Sequence, residues 1–491
     1  MVFMRSYQEI HRREHQESSE EYAAEWIEDE MLGCQFADVR HGKRLRQLLS
    51  QLSRRVGGTT PWASDWASLK AAYRFLSNGR VSEAAILAGH FLATRSRVAK
   101  DSSPILVLHD TTEFSYRRTD TEPIGLLRTT PCWPGKGKKG MPSLHTVCGI
   151  LMHSSLAVTT AGLPLGLVAV KYWTRKKFQH TRALRGKICS TRIPIEKKES
   201  IRWIENLRQA TGTLAEPRRC VHIGDRESDI WEMFCAAQEE GTHFLVRTCV
   251  DRRSEDGSTT VDRIMKRALV RAVHRIEARD AEGELRPAIM ELRFRMMAVC
   301  PPIGKEKKYP KLTLTVLHAR ERNPPAGRKP IVWKLLTDLE VRSRQQAIEK
   351  LDWYAQRWKI ESFHKILKSG CRAEESRLRT ADRLVNLLAI LSILSWRIFW
   401  ITMLNRTEPA AAPNQAFTEL DQYLLDEVVP DRPNQLRRTP LSHYIVKLAR
   451  LGGYLARAHD PPPGNTVIWR GMSRLTDIEL GIIIGAGLMG N

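Results

Sequence analysis

The chain has 491 residues with 42% hydrophobic and 7% aromatic content, which suits a soluble protein of several domains with a substantial core. Its 78 Lys and Arg against 55 Asp and Glu give a formal charge of +23, an excess that attracts a polyanion, nucleic acid first. Nine scattered cysteines with no Cys-x-x-Cys pair argue against a zinc ribbon or a disulfide framework and fit a reducing cytoplasm.

The opening "MVFMRSYQEIHRREHQESSEEY" is charged and has no apolar stretch of the kind that makes a signal peptide. Residues 1–100 read as mostly helical. "FADVRHGKRLRQLLSQLSRRVGG" spaces its apolar positions as a helix does, keeps a basic remainder, and is closed by Gly57 and Gly58. "SLKAAYRFLSN" and "VSEAAILAGHFLATRSRVA" predict two more helices. From Pro104 the period changes. "ILVLHD", "HTVCGILMHSSLAVTT" and "LPLGLVAVKYW" read as three strands, with the basic Gly/Pro-rich "RTTPCWPGKGKKGMP" as a loop between the first two. "EKKESIRWIENLRQATG" predicts a helix, "CVHIGD" a buried strand, and "RESDIWEMFCAAQEE" a helix again, so residues 101–244 suggest a mixed sheet with helices packed on it. Residues 245–338, with "AIMELRFRMMAV", "KLTLTVLHARER" and "IVWKLLTD", read as a β-rich insertion. Residues 339–385 return to the α/β pattern, and 386–491 are helical, broken by loops at "TEPAAAPN" and "HDPPPGN". The run "LLAILSILSWRIFWITML" has the length of a membrane span, but Arg397 in its middle favours a buried helix.

Three carboxylates stand out. Asp110 ends "ILVLHD" and Asp225 ends "CVHIGD", where side chains emerge at the carboxyl edge of a sheet. Either alone is more often a turn or cap residue, and Asp225, just before a helix, is also placed to cap it. The third is Glu361. In "YAQRWKIESFHKILK", read as one helix, Tyr354, Arg357, Glu361, His364, Lys365 and Lys368 share an arc of about 100°, opposite Ile360, Phe363, Ile366 and Leu367. A solvated face with helical ion pairs is the plain reading of such a stretch. Three acids, however, suffice to hold hard divalent cations that take oxygen ligands, and two such ions can activate an attacking oxygen and stabilise a leaving one in phosphodiester chemistry. Arg357 and Lys368 would then neutralise phosphate, with Tyr354 donating a hydrogen bond to it.

"HDTTEFSY", "GDRESDIWE" and the spacing Tyr354-x-x-Arg357-x-x-x-Glu361-x-x-x-x-x-x-Lys368 together resemble the DDE transposases of the insertion-sequence-four group, the Tn-five type in particular. The likeness runs from "FADVRHGKRLRQLL" to "KLARLGGYLAR". It implies an RNase H-like α/β core interrupted by a β-rich insertion, between helical N- and C-terminal domains. Asp110, Asp225 and Glu361 would be the metal ligands, for two Mg²⁺ ions that Mn²⁺ can replace. Tyr354, Arg357, Lys365 and Lys368 would lie on DNA, Trp333 would stack on a flipped base, and Trp358 and Arg247 would flank that strand. Arg40, Arg44, Arg54 and Arg55 would belong to an end-recognition domain, and residues 386–491 to a dimerisation domain. The implied activity is cut-and-paste transposition of a bacterial insertion sequence by a cytoplasmic homodimer on transposon ends and target DNA, with no membrane partner. A structure-selective nuclease without strand transfer and a non-catalytic DNA-binding regulator are the alternatives. The first nineteen residues and the basic loop 128–140 depart from the family pattern.

Overall fold

The computed structural model describes residues 26–53, 66–118, 120–132, 143–175, 193–279, 285–325, 327–431 and 440–488. The first nineteen residues, Arg54, Arg55 and most of the basic loop lie outside them. After a short helix over 26–31, three helices open the chain: α1 (Val39–Ser53), α2 (Trp66–Leu76) and α3 (Glu83–Ala99). In α1 the helical spacing of Leu45, Leu48, Leu49 and Leu52 puts all four in the core. The hydroxyl of Ser82 caps α3 by accepting from Ala85 N.

Strands β1 (Ile105–Tyr116), β2 (Leu126–Cys132), β3 (Ser143–Thr159) and β4 (Pro164–Trp173) follow. Next come α4 (Ile201–Leu214), β5 (Cys220–Gly224), α5 (Trp231–Glu239) and β6 (His243–Arg247). Beyond them lie β7 (Arg253–Ser254), β8 (Thr259–Thr260), α6 (Val261–Arg267), β9 (Ala272–Arg279), β10 (Leu285–Val299), β11 (Leu312–Glu321) and β12 (Val332–Thr337). These strands form one twelve-stranded sheet in the order β2-β3-β1-β5-β6-β12-β11-β10-β7-β8, with β4 also on β3 and β9 also on β10. β1, β5 and β6 are parallel. The five residues that start β1 and all of β5 are buried, as expected of parallel strands covered on both faces.

Three expectations need correction. Asp110 does not end its strand: β1 pairs with β5 only through Leu108, then continues to Tyr116 against β3. "TTEFSY" intersperses polar residues with the buried Phe114 and Tyr116, so it lacks the apolar run that marked the first half. The stretch 128–132, expected as the start of a loop, belongs to strand β2, which takes its ladder from β3 despite its Arg, Thr and Pro. The β-rich stretch 245–338 is no separate body, because β12 pairs with β6 and carries the core sheet outward. Its side chains share a core with α4 and α5, where Trp203, Leu207, Trp231 and Phe234 meet Phe244, Val299, Leu314 and Leu336.

The remaining helices are α7 (Arg344–Ala355), α8 (Trp358–Lys365), α9 (Ala381–Thr407), α10 (Glu419–Val428), α11 (Leu441–Leu451) and α12 (Asn465–Leu488). A capping box between Ser343 and Gln346 starts α7. α9 is the one described helix long and apolar enough to cross a membrane, but 89% of its most apolar window is buried inside the protein. It packs on α3 and β4 as a core helix.

Candidate catalytic and DNA-facing site

The register between β1 and β5 pairs Leu108 with Ile223. Two residues further on come Asp110, still on β1, and Asp225, just past the end of β5, so both acids lie beyond the last β1–β5 pair and both act on the Glu227 carboxyl. Just past Gly224 the chain turns through a short 3₁₀ segment, and Asp225 Oδ1 accepts from Glu227 N at 2.8 Å. The capping role open to Asp225 is thus realised on this turn, while α5 starts six residues later without a side-chain cap.

The third acid arrives on α8, which packs on β1. Residues 354–368 are not one helix. α7 stops at Ala355, a tighter turn with i→i−3 bonds follows at 356–357, α8 runs to Lys365, and Ile366–Gly370 forms a π-helical stretch. Ile360, Phe363, Ile366 and Leu367 are fully buried, as the apolar stripe requires. Glu361 is exposed and forms an i,i+4 ion pair with the Arg357 guanidinium. Burial works against charge on Arg357, but Glu361, Tyr354 and Asp110 together hold its pKa above the ordinary arginine value. The same guanidinium therefore lies in the field of two of the three acids. Burial pushes the Asp110 carboxyl up, but His364 and then Arg357 outweigh it and hold the group below its ordinary value. His364 Nδ1 is 3.5 Å from Asp110 Oδ2.

Tyr354, on the far side of the turn, is buried rather than presented on an open face. Its ring meets Trp333 edge-on with centroids 5.0 Å apart. Burial raises its hydroxyl pKa, opposed by Arg357 and Arg247 and reinforced by Asp225. Arg247 donates to the Val332 carbonyl at 2.9 Å, so Arg247, Trp333 and Tyr354 form one cluster where β6 and β12 meet. Lys368 lies with its Nζ 5.6 Å from the centroid of Phe114, four residues past Asp110 on β1.

Lys365 and Trp358 go elsewhere. Both line a cleft of about 210 Å³ with Ser362, Thr402, Arg406 and Trp469, between α8 and the helices α9 and α12. Lys365 stands one turn after Glu361 on the same helix, yet it borders this cleft with Ser362 on its other flank. In the N-terminal region Arg40 is fully exposed and paired with Asp38, and Arg44 is half-buried on α1.

Two groups were not singled out as site residues. His364 lay on the polar arc, three residues from Glu361, without a role. Glu227 follows Asp225 by two residues; burial raises its carboxyl pKa, Arg202 opposes, and Asp225 and Asp110 add to the rise. A fourth carboxylate thus shares the field of the two aspartates. Asp110, Asp225 and Glu361 are not drawn within 4.8 Å of one another. Among the described residues one triad is, Asp426, Asp431 and His443, and the Lys447 ammonium already neutralises it at 2.5 Å and 3.1 Å from the two acids.

Residues 23–81 match the transposase DNA-binding family, and residues 289–397 match the transposase DDE domain. Together these matches support a DDE transposase. The first covers α1 and α2 with Arg40 and Arg44; the second runs from β10 into α9 and contains Trp333, Tyr354, Arg357, Glu361 and Lys368 but neither aspartate. DNA as partner follows from the DNA-binding domain, and divalent metal ions are what DDE transposase domains generally use.

Proposed function

We propose that this DDE transposase belongs to the insertion-sequence-four group and moves its element by cut-and-paste, with Asp110, Asp225 and Glu361 holding Mg²⁺. The observation that carries the reading is that Asp110 and Asp225 both lie two residues past the last β1–β5 pair and share the field of Glu227, while the Arg357 guanidinium links Asp110 electrostatically to Glu361. The donor set is all carboxylate oxygen, the chemistry a small hard cation takes. A bound ion would supply Lewis acidity at the scissile phosphate and activation of the attacking oxygen.

The chain's own groups do the rest. Lys368, steadied over Phe114, contributes a point charge to the phosphate. Arg357 offers the N–H groups it does not direct at Glu361, and Tyr354, buried against Trp333 and beside Arg247, backs that cluster. Trp333, half-buried and buttressed by Tyr354, gives a face on which an unpaired base of the transposon end would stack. Nicking, attack of the freed 3′-hydroxyl to form a hairpin, hairpin opening and strand transfer are all in-line displacements at phosphorus, so one site serves them all. A homodimer pairing two ends completes the reading.

The test is a purified protein, a labelled end-containing duplex and Mg²⁺, resolved on a denaturing gel. Asp110→Asn, Asp225→Asn and Glu361→Gln are each expected to abolish cleavage while retaining end binding; wild-type cleavage by any of them would remove that residue from the site. Trp333→Ala is expected to nick but to form little hairpin. Equal loss of both products would make Trp333 a packing residue, and nicking without hairpin by the wild-type protein would leave a nuclease.

A further inference from the structure

Each of the three acids has one oxygen beside a donor group of the chain. Asp225 Oδ1 takes the Glu227 backbone N–H, Glu361 Oε1 takes the Arg357 guanidinium, and Asp110 Oδ2 faces the His364 ring. The first is backbone and the second also serves phosphate in the reading above. His364 alone has no other task.

We propose that His364 is a positioning residue for Asp110, and that Ser154 selects the tautomer in which it works; this rests on the reading of Asp110 as a metal ligand. His364 is only 5% exposed and lies one turn after Glu361. Its Nε2 is 2.8 Å from the Oγ of Ser154, which is fully buried, and its Nδ1 is 3.5 Å from Asp110 Oδ2. Ser154 and Asp110 are register partners on β3 and β1, so the ring bridges adjacent strands from above. The Phe363 ring lies beside the imidazole with centroids 5.6 Å apart. When the serine O–H donates to Nε2, that nitrogen carries no proton, and the ring must carry its proton on Nδ1, directed at the carboxylate. The opposite tautomer would set a ring lone pair against a carboxylate oxygen. Holding Oδ2 in this way fixes the Asp110 rotamer and leaves Oδ1 to be presented to a cation. Partners of ligating groups of this kind change metal affinity about 10–100-fold when removed.

The measurement is Mn²⁺ binding to the full chain by electron paramagnetic resonance, which needs no turnover. Asparagine places its Nδ2 near the position of the histidine Nδ1 and keeps a donor toward Asp110, whereas glutamine reproduces Nε2 and turns its donor toward Ser154. His364→Gln is expected to weaken Mn²⁺ binding about 10–100-fold, His364→Asn to retain most of the affinity, and Ser154→Ala to fall between. Wild-type affinity in His364→Gln, or equal loss in the Asn and Gln variants, overturns the positioning role; wild-type affinity in Ser154→Ala overturns the tautomer assignment. Thermal melting monitors folding. Should His364→Gln fail to fold, His364→Asn and Ser154→Ala decide, and loss in the asparagine variant greater than in Ser154→Ala overturns the inference. Asp110→Asn separates the two levels. If it binds Mn²⁺ as wild type does, the metal-ligand reading itself fails; if it loses binding while the His364 variants do not, only this inference fails.

Discussion

At the scale of single residues, the site is a set of charges held in place by neighbours of unlike kind. Lys368 sits over an aromatic ring and, among the described residues, forms no ion pair with an acid, so on the proposed reading its ammonium serves a phosphate. Lys368→Ala is expected to weaken binding to end-containing and unrelated duplexes alike and to reduce the slope of log affinity against log salt by about one; an unchanged slope in a filter-binding titration would remove Lys368 from the DNA. Much of this was legible. The i,i+4 geometry joins Arg357 to Glu361, and the apolar stripe of Ile360, Phe363, Ile366 and Leu367 gave the facing of α8. Tyr354 was misread, because nothing in "YAQRW" announces that the helix stops at Ala355. Asp110 does follow a buried apolar run, yet its strand continues. That second half is held by pairing with β3, a tertiary effect with no local signature.

At the scale of elements, the junction between β6 and β12 joins the parallel sheet to its antiparallel extension, and one acid pins it. Asp338 Oδ1 accepts from Phe244 N at 2.9 Å, and its Oδ2 is 2.7 Å from His243 Nδ1. The hydrogen bond to Asp338 raises the His243 pKa above 6.5, against the effect of partial burial. A raised folded pKa means stability that is fully present below the unfolded value and is lost as pH rises through the folded one. Asp338→Asn keeps an acceptor for Phe244 but removes the charge. It is expected to lower Tm more at pH 5.5 than at pH 8.5; equal losses at both would show that the imidazolium contributes nothing. The extent of the sheet was only partly readable. Alternation marked β10, β11 and β12, but no one-dimensional pattern says which strand β12 will pair with.

At the scale of the whole molecule, the DNA-binding helices are tied to the sheet through a buried carboxylate. Glu30 is 1% exposed; Arg97 Nη1 donates to its Oε1 at 2.8 Å, and His90 Nδ1 donates to Oε2. His90 Nε2 accepts from Leu167 N on β4, Arg97 donates to the Leu165 carbonyl, and the guanidinium lies 4.0 Å from the ring centroid of Trp396 on α9. Burial alone would raise the Glu30 pKa, but His90 and Arg97 together bring it below the ordinary value. Helix α3 approaches so closely that a Cβ at Gly89 would come within 1.9 Å of the Glu30 carbonyl oxygen. Removing one member of such a buried network costs about 3 kcal/mol or more. Glu30→Gln is expected to lower a single calorimetric transition for the whole chain. Two resolved transitions would mean instead that the N-terminal helices unfold on their own.

The π-helical stretch Ile366–Gly370 bears on what kinds of change this gene can tolerate. The chain is anchored before it by α8 on β1, and after it by Glu374, whose carboxylate accepts from Ser115 N at 2.7 Å on that same strand. Cys371 N reaches back five residues to the Ile366 carbonyl, so the wide turn absorbs one residue more than an α-helix would need between two fixed points. What is specified here is a length as much as a set of side chains. Ser369, exposed on the outside, can vary freely; Gly370 cannot, since a Cβ there would lie 2.9 Å from Trp469. Deleting any single residue of the five would make the helix more regular and locally more favourable. It would also rotate Lys368 by about 100° relative to Glu361 or pull Glu374 off its strand. Descendants of this sequence should therefore accumulate substitutions between Glu361 and Glu374 while keeping their number of residues constant.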